Sequence, residues 1–171
     1  MKNIETKKTD ALTKDLYWLT APLAKTNGDV RVHITHVYVE NNTMTATDGQ
    51  RLHHLKFDQD IADGYYKIAK RTKSAMLLTC SGDKDWSVYP KCEELLAKPE
   101  GDSFVVIQKE NNSSWAMTKI IRAMKDNSID YNFLNDVLSD GNAYDVTVVG
   151  ETRPIHFESG NKTAIIMPVR I

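Results

Sequence analysis

The sequence lacks the features that mark a membrane, secreted or metal-binding protein. It has no run of about 18 apolar residues that could span a bilayer, and residues 1–10 have no apolar core of the kind a signal peptide needs. Its two cysteines, Cys80 and Cys92, form no disulfide framework and have no zinc-ligand spacing. We therefore expect a cytoplasmic protein with no membrane segment, no metal and no other cofactor.

The chain also lacks the surplus of positive charge that is typical of a general nucleic-acid-binding protein. Its formal net charge is −1, with 22 Lys and Arg against 23 Asp and Glu. Residues 1–80 carry 12 basic and 9 acidic residues, whereas residues 81–171 carry 10 and 14. This balance excludes a uniformly basic surface but permits a local one in the first half.

Recognisable catalytic motifs are absent as well. There is no glycine-rich phosphate loop and no nucleophile elbow. An enzymatic or metal site could start only from Asp48 near His53 and His54, or from His33 and His36. Adjacent histidines on a strand point to opposite faces, and no carboxylate or cysteine stands at ligand spacing around either pair. The sequence therefore predicts that the protein is not an enzyme.

The hydrophobic pattern of the first half indicates a helix followed by antiparallel strands. Leucines at helical spacing predict one amphipathic helix over residues 10–25, capped by Thr9 or Asp10. Alternating apolar residues and turn residues predict a meander of short strands, followed by a second helix over residues 70–80. The predicted strands are residues 30–34, 37–39, 43–47 and 65–68.

The second half repeats this order. Residues 81–112 are irregular and carry the boundary between two halves, at 1–92 and 93–171. A helix capped by Ser113 or Ser114 and a short helix over residues 132–138 precede three strands at 144–149, 154–158 and 163–169. The fold class is α+β, with repeated units of helix plus antiparallel strands.

Two short strings then become informative together. They are ATDGQRL at residues 46–52 and IMPVRI at residues 166–171, the end of the chain. They resemble, in the same order, the two motifs that form the partner-binding groove of bacterial β sliding clamps, the β subunits of DNA polymerase III. Looser similarity extends over residues 64–78, 88–99 and 129–138. The chain is shorter than the three-domain members of this family, so the resemblance implies two abbreviated clamp domains or one merged domain.

The resemblance implies a DNA sliding clamp that acts as a polymerase processivity factor. Such a protein encircles duplex DNA without reading its sequence, as a homo-oligomer, and two-domain subunits would need a trimer for a six-domain ring. The DNA would face lysines and arginines on three predicted helices, although each cation could equally be an ordinary solvated one. These DNA-facing candidates are Lys7, Lys14, Lys25, Lys70, Arg71, Lys73, Lys119, Arg122 and Lys125.

The resemblance also implies a groove that takes short peptides from DNA polymerase and the clamp loader. Its apolar floor would be Leu52, Met167, Pro168 and Val169, with Phe133 as an aromatic wall. Its polar rim would be Thr47, Gly49, Gln50, Arg51 and Arg170. Glutamine at position 50 replaces the histidine common in the family.

Two other interpretations stay open. Leu52, Met167 and Val169 could be plain strand core. The protein could also be a clamp-like adaptor or regulator that binds clamp-binding peptides without encircling DNA, which a monomeric native mass would indicate.

Overall fold

A computed structural model describes residues 3–7, 10–23, 31–81, 89–90, 92–107, 113–124 and 127–170. These residues form helices and antiparallel strands, which confirms the α+β class. Within the described stretches, no helix is long and apolar enough to cross a membrane. The chain divides into two compact units, Met1–Lys91 and Cys92–Ile171, called unit 1 and unit 2.

Unit 1 contains one antiparallel sheet and two helices among its described residues. In chain order its elements are β1 (Ile4–Lys7), α1 (Ala11–Leu19), α2 (Val32–Thr35), β2 (Val37–Glu40), β3 (Thr43–Thr47), β4 (Arg51–Lys56), β5 (Gly64–Thr72) and β6 (Ala75–Cys80). The strands lie in the order β1-β6-β5-β2-β3-β4. Helix α1 contacts β1, β3, β4 and β6, so it covers one face of this sheet.

The predicted first helix is confirmed, but it is shorter than its leucine pattern. Leu16 and Leu19 are fully buried, together with Trp18. The helix ends at Leu19 because Pro22 follows closely and cannot continue it, so Leu23 lies outside. Asp10 is the residue before the first turn, and its carboxylate accepts a hydrogen bond from the Lys7 backbone N–H at 2.7 Å.

The strand predicted over residues 30–34 is wrong, because α2 occupies this region. The hydroxyl of Thr35 donates to the carbonyl of Arg31 at 3.1 Å, one helical turn back. Ile34 is buried with 3% of its surface exposed, so the helical turn also buries this apolar residue of the predicted strand. A three-residue alternation is too short to distinguish a strand from a helical turn.

The helix predicted over residues 70–80 is also wrong, because these residues form a β-hairpin. Strand β5 continues through Thr72 and pairs with β6 around a turn at Lys73 and Ser74. Met76 and Leu78 are buried, whereas Leu77 between them is half-buried. This alternation, with β1 paired on the other side of β6, is the pattern of a strand inside a sheet.

Unit 2 begins with a short helix and has its own antiparallel strands. Its elements are α3 (Glu93–Leu96), β7 (Asp102–Ile107), α4 (Ser113–Met124), β8 (Asn127–Ser128), α5 (Tyr131–Leu138), β9 (Ala143–Val148), β10 (Ile155–Ser159), β11 (Lys162–Ile166) and β12 (Val169–Arg170). Strands β11, β10, β9 and β7 lie side by side in that order, and β12 pairs with β8. The sequence patterns correctly predicted α4, α5 and the strands that became β9 to β11.

Strand β7 was missed, since its sequence follows loop signals at Pro99 and Gly101. The backbone of Gly101 passes so close to β9 that an added Cβ would lie 2.5 Å from the carbonyl oxygen of Val148. Gly101, whose sequence context suggested a loop, therefore directly precedes β7. This approach lets β7 pair along the whole of β9.

A buried ion pair stabilises the later part of unit 2. The Nζ of Lys162 on β11 lies 2.7 Å from Oδ2 of Asp140, and both side chains are almost fully buried. The same carboxylate accepts from the hydroxyl of Tyr144 and from the side-chain amide of Asn142, both at 2.9 Å. These additional donors offset the cost of removing two charges from water.

Candidate functional site

The ATDGQRL string forms the turn between β3 and β4. Strand β3 ends at Thr47, as the sequence predicted, and β4 begins at Arg51. Oδ1 of Asp48 accepts hydrogen bonds from the backbone N–H groups of Gln50 and Arg51, both at 2.9 Å. The aspartate therefore stabilises the turn, because its carboxylate accepts from two backbone N–H groups that strand pairing does not use.

Thr47 and Gly49 complete the same turn. The Thr47 hydroxyl donates to the carbonyl of Arg51 at 2.7 Å and accepts from the N–H of Gly49 at 3.0 Å. Gly49 has a φ of +90°, where a side chain would be strained. Both residues were predicted for the rim of a groove, and the hydroxyl of Thr47 is already engaged inside the turn.

Arg51 is bonded to the rest of unit 1. Its Nε donates to Oδ2 of Asp48 at 3.0 Å, and its Nη2 donates to the carbonyl of Ala21 at 3.1 Å. Only 9% of its side chain is exposed. The guanidinium thus ties the turn to the segment after α1 and offers little surface to a ligand.

Two predicted residues of the turn do present an open surface. Gly49 and Gln50 are exposed, and no atom lies within 4 Å of a Cβ placed on Gly49. Leu52 is only 5% exposed, as expected for strand core. Gln50 is therefore the polar side chain of this string that is best placed to meet a partner.

The C-terminal string exposes apolar side chains in unit 2. Ile165 and Ile166 of β11 are buried, whereas Met167 is 39% exposed and Val169 is 41% exposed. Pro168 interrupts the strand because it has no N–H to donate, and the chain then pairs with β8. Met167 and Val169 are surface residues, unlike the buried Leu52.

Two further groove candidates, Phe133 and Arg170, also belong to unit 2. Phe133 lies on α5 and is half-buried. Arg170 belongs to β12, and its side chain lies outside the described part, as does Ile171. The predicted groove residues therefore belong to two groups, residues 47–52 of unit 1 and residues 133 and 167–170 of unit 2, and their joint groove stays a prediction.

Four of the DNA-facing candidates in unit 1 do not lie on helices, which corrects the sequence prediction. Lys7 is on β1, Lys70 and Arg71 are on β5, and Lys73 is in the turn that follows. The helical pattern was misread because residues 70–80 pair as strands. Lys14 does lie on α1 and is exposed, whereas Lys25 lies outside the described residues.

The candidates of unit 2 lie on the predicted helix. Lys119 and Arg122 are exposed and three residues apart on α4, so they share one face. The Nζ of Lys119 lies 5.5 Å from the ring centre of Trp115 on the preceding turn. Lys125 lies outside the described residues.

His53 and His54 on β4 serve in packing and hydrogen bonding. The ring of His53 stacks on Trp18 with centres 4.4 Å apart, and its Nδ1 lies 2.7 Å from the carbonyl oxygen of that residue. Burial lowers the pKa of His54 to about 4, so its ring is neutral near pH 7. Among the described residues, no three His, Cys, Asp or Glu side chains are grouped to hold a metal ion.

The Cys92 thiol is not activated as a nucleophile. Neither Cys80 nor Cys92 is in a disulfide. Burial, with the neighbouring Glu93, raises the pKa of Cys92 to about 11. A thiol that stays protonated near neutral pH is a poor nucleophile.

Sequence reasoning missed one surface cavity in unit 2. It has a volume of about 270 Å³ and is lined in part by Leu95, Pro99, Val149, Arg153 and His156. Burial lowers the pKa of His156, which keeps its ring neutral. No sequence signal marks this cavity, because its lining residues come from two segments that are far apart in the chain, one before β7 and one after β9.

Comparison with solved structures identifies the fold. The chain matches a protein from Eubacterium rectale assigned as a DNA polymerase III beta subunit, with a TM-score of 0.65 and 10% identity over 99% of this chain and 65% of that one. It matches the DNA polymerase sliding clamp of Pseudomonas aeruginosa with a TM-score of 0.62 and 15% identity, over 99% and 67%. The beta subunit of Thermotoga maritima gives 0.63 and 13%, over 99% and 65%.

The chain therefore has a DNA-clamp fold. Within that class, the fold is that of the bacterial β sliding clamp, the β subunit of DNA polymerase III, which confirms the fold implied by the two strings. The chain spans about two thirds of the length of these structures. No protein-family model and no curated protein matches its sequence.

Proposed function

We propose that this chain is a non-enzymatic sliding clamp, a processivity factor that tethers replication proteins to DNA in the cytoplasm. The observation that carries the proposal is the clamp fold over 99% of the chain, together with the ATDGQRL string, which forms a turn stabilised by hydrogen bonds to the Asp48 carboxylate. A clamp needs a surface for partner peptides and a cationic surface for duplex DNA, and both have candidate residues here.

Partner-binding residues are proposed in each unit by itself, Gln50 in unit 1, and Met167 and Val169 in unit 2. Peptide recognition needs apolar contacts and a few fixed polar groups. Met167 and Val169 expose apolar surface, and the Asp48 carboxylate holds the turn that displays Gln50. The flexible thioether of Met167 suits a surface that accepts more than one peptide, such as those of a polymerase and a clamp loader.

The test is the anisotropy of a labelled peptide of the Gln-Leu-x-Leu-Phe type. We expect saturable binding that Met167→Ala weakens about tenfold, since an exposed apolar contact of this size contributes on the order of 1.4 kcal/mol. The matched control is Leu95→Ala, which truncates a side chain on α3 that is 40% exposed, against 39% for Met167, and is not among the predicted groove residues. Gln50→Ala and the exposed Gln59→Ala form a second pair for the turn.

Two results would contradict the partner surface. One is equal loss of affinity for Met167→Ala and Leu95→Ala. The other is absence of peptide binding by the folded protein. Arg51→Ala is a poor probe, because it removes the bonds to Asp48 and Ala21 and so disturbs the turn itself.

The adaptor function is the second candidate, and the formal net charge of −1 favours it, because binding to duplex DNA normally draws on a surplus of Lys and Arg. An adaptor would bind the peptide as a monomer and would not remain on closed circular DNA. A clamp would bind the peptide and stay on circular DNA until the circle is cut.

A further inference from the structure

The cations of β5 alternate between the two faces of the unit 1 sheet. Arg71 is paired with Met76, and Lys70 with Leu77, after the irregularity between Ile68 and Lys70. Neighbouring residues of a strand point to opposite faces. Met76 is 1% exposed, and its sulfur lies 4.0 Å from the hydroxyl of Thr20, just after α1. Arg71 is therefore on the α1 side of the sheet, and Lys70 is on the other side.

Arg71 is held on the α1 side by an aromatic contact. Its guanidinium carbon lies 4.8 Å from the ring centre of Tyr17 on α1. The Tyr17 hydroxyl donates to the carbonyl of Ala75 at 3.4 Å, which ties the ring to the hairpin. A guanidinium stacked by its face keeps its N–H edges available for a bidentate anion. Within the described residues, Arg71 has no ion pair with a carboxylate.

Lys14 adds a second cation beside this pair. It is exposed on α1, three residues before Tyr17, so the two side chains share one helix face. Asp10, one turn earlier, has its carboxylate bonded to the N–H of Lys7. Arg71 and Lys14 therefore both lie near Tyr17 on the α1 side of unit 1.

We propose that Arg71, stacked on Tyr17, binds a phosphate of duplex DNA together with Lys14, whereas Lys70 on the opposite face makes no DNA contact. This inference rests on the proposed clamp function and specifies its DNA surface in unit 1. The sequence predicted one helix that carries Lys70, Arg71 and Lys73 toward DNA. Here Arg71 alone, a strand residue on the α1 side of the sheet, takes that role. Tyr17 is a positioning residue, because it orients Arg71 without touching DNA.

The test compares neutral variants of equal net charge by titration of a fluorescein-labelled duplex of about 30 base pairs, between roughly 30 and 200 mM salt. Each phosphate contact contributes about 0.9 to the slope of log affinity against log salt. Arg71→Gln should lower the slope by about 0.9 and weaken binding about five- to tenfold near 0.1 M salt. Lys14→Gln should act similarly, and Lys70→Gln should leave both quantities unchanged.

The role of Tyr17 is tested in the same titration. Tyr17→Phe keeps the ring and should bind like the unchanged protein, whereas Tyr17→Leu should weaken binding about twofold through loss of the stacking contact. The Tyr17→Leu effect should disappear when Arg71 is already replaced by Gln. A general loss of packing would weaken binding in both backgrounds, and circular dichroism checks that all variants are folded.

The outcomes separate this inference from the function on which it rests. If Lys14→Gln lowers the slope and Arg71→Gln does not, the role of Arg71 is overturned and the clamp proposal stands. Equal loss for Arg71→Gln and Lys70→Gln would show only nonspecific charge attraction, which also overturns it. Absence of duplex binding by the unchanged protein would overturn the role of Arg71, whereas the clamp proposal is tested separately by retention on closed circular DNA.

Discussion

At the scale of single residues, the polar side chains of the ATDGQRL turn act mainly on the turn itself. Thr47, Asp48 and Arg51 direct their polar atoms to backbone groups or to each other. The residue types of a binding rim and of a stable turn are the same, so a sequence motif cannot separate these roles. Gln50 is the exposed polar side chain of the turn.

The turn is expected to depend on the Asp48 carboxylate. Asp48→Ala removes three accepted hydrogen bonds and should lower the free energy of unfolding by about 1 to 2 kcal/mol. Asp48→Asn keeps one oxygen for the backbone N–H groups and should lose less. Urea unfolding measures both, and equal loss for the two variants would contradict this account.

The buried histidine on β4 makes stability depend on pH. His54 has a pKa of about 4 in the folded protein, against 6.5 for an ordinary histidine, because burial disfavours its charged form. The unfolded chain therefore binds more protons between these values. The stability contribution is present above pH 6.5 and should fall by up to about 3 kcal/mol as the pH is lowered to about 4.

Urea unfolding across this pH range tests the prediction against a His54→Asn variant. The Nδ1 of His54 lies 2.9 Å from the Thr45 hydroxyl, and an asparagine retains a polar group there. Carboxylates titrate in both proteins, so the difference between the two curves isolates the histidine. Parallel curves would contradict a depressed pKa at His54.

At the scale of elements, patterns supported by a tight turn or a full amphipathic face were reliable. The hairpin of β2 and β3 was predicted from its polar turn, and it has Asn41 and Asn42 at φ of 49° and 58°. Helix α4 was predicted from its apolar positions, of which Ile120 and Met124 are fully buried. Both signals are local, so they survive in any tertiary context.

Short apolar runs were not reliable, because pairing with other strands decides their form. The run from Ala75 to Leu78 fits a helix or a strand, and neighbours on both sides, β1 and β5, make it a strand. Lys70 and Arg71, which were predicted on one helix, therefore lie on opposite faces of a sheet. The candidate DNA surface was therefore predicted by residue type but not by position.

The asparagine turn offers a test at this scale. Both central residues have positive φ, the conformation of a type I′ turn, in which glycine is favoured at the second position. Asn42→Gly should raise the free energy of unfolding by about 0.5 kcal/mol, and Asn42→Val should lower it by about 1 to 2 kcal/mol. Thermal or urea unfolding of the two variants measures the difference, and a stabilising valine would contradict the turn assignment.

At the scale of the whole molecule, β1 in unit 1 and β7 in unit 2 each have an unpaired edge among the described residues. Within these residues, β1 pairs only with β6, and β7 pairs only with β9. Val105 on β7 is 50% exposed. Unpaired edges favour pairing with another chain, which agrees with the proposed homo-oligomer.

The native mass decides between clamp and adaptor. A six-domain ring built from two-domain subunits requires three copies, so we expect a native mass of about 58 kDa, three times the 19.4-kDa chain. Native mass spectrometry or light scattering measures it. A monomer at concentrations well above the peptide affinity would contradict the ring and support the adaptor.

The amino-acid sequence was sufficient to predict the α+β class, the turn at Asn41 and Asn42, and the clamp fold. Turn residues, alternation and amphipathic spacing act over a few neighbouring positions, and the two strings carried the resemblance that the structural comparisons confirmed. Long-range contacts were needed to show that residues 70–80 form strands and that the Arg51 side chain is bonded within unit 1. The tertiary structure also placed Arg71 against Tyr17. These features depend on contacts between residues far apart in the chain, whose free energy outweighs local preference.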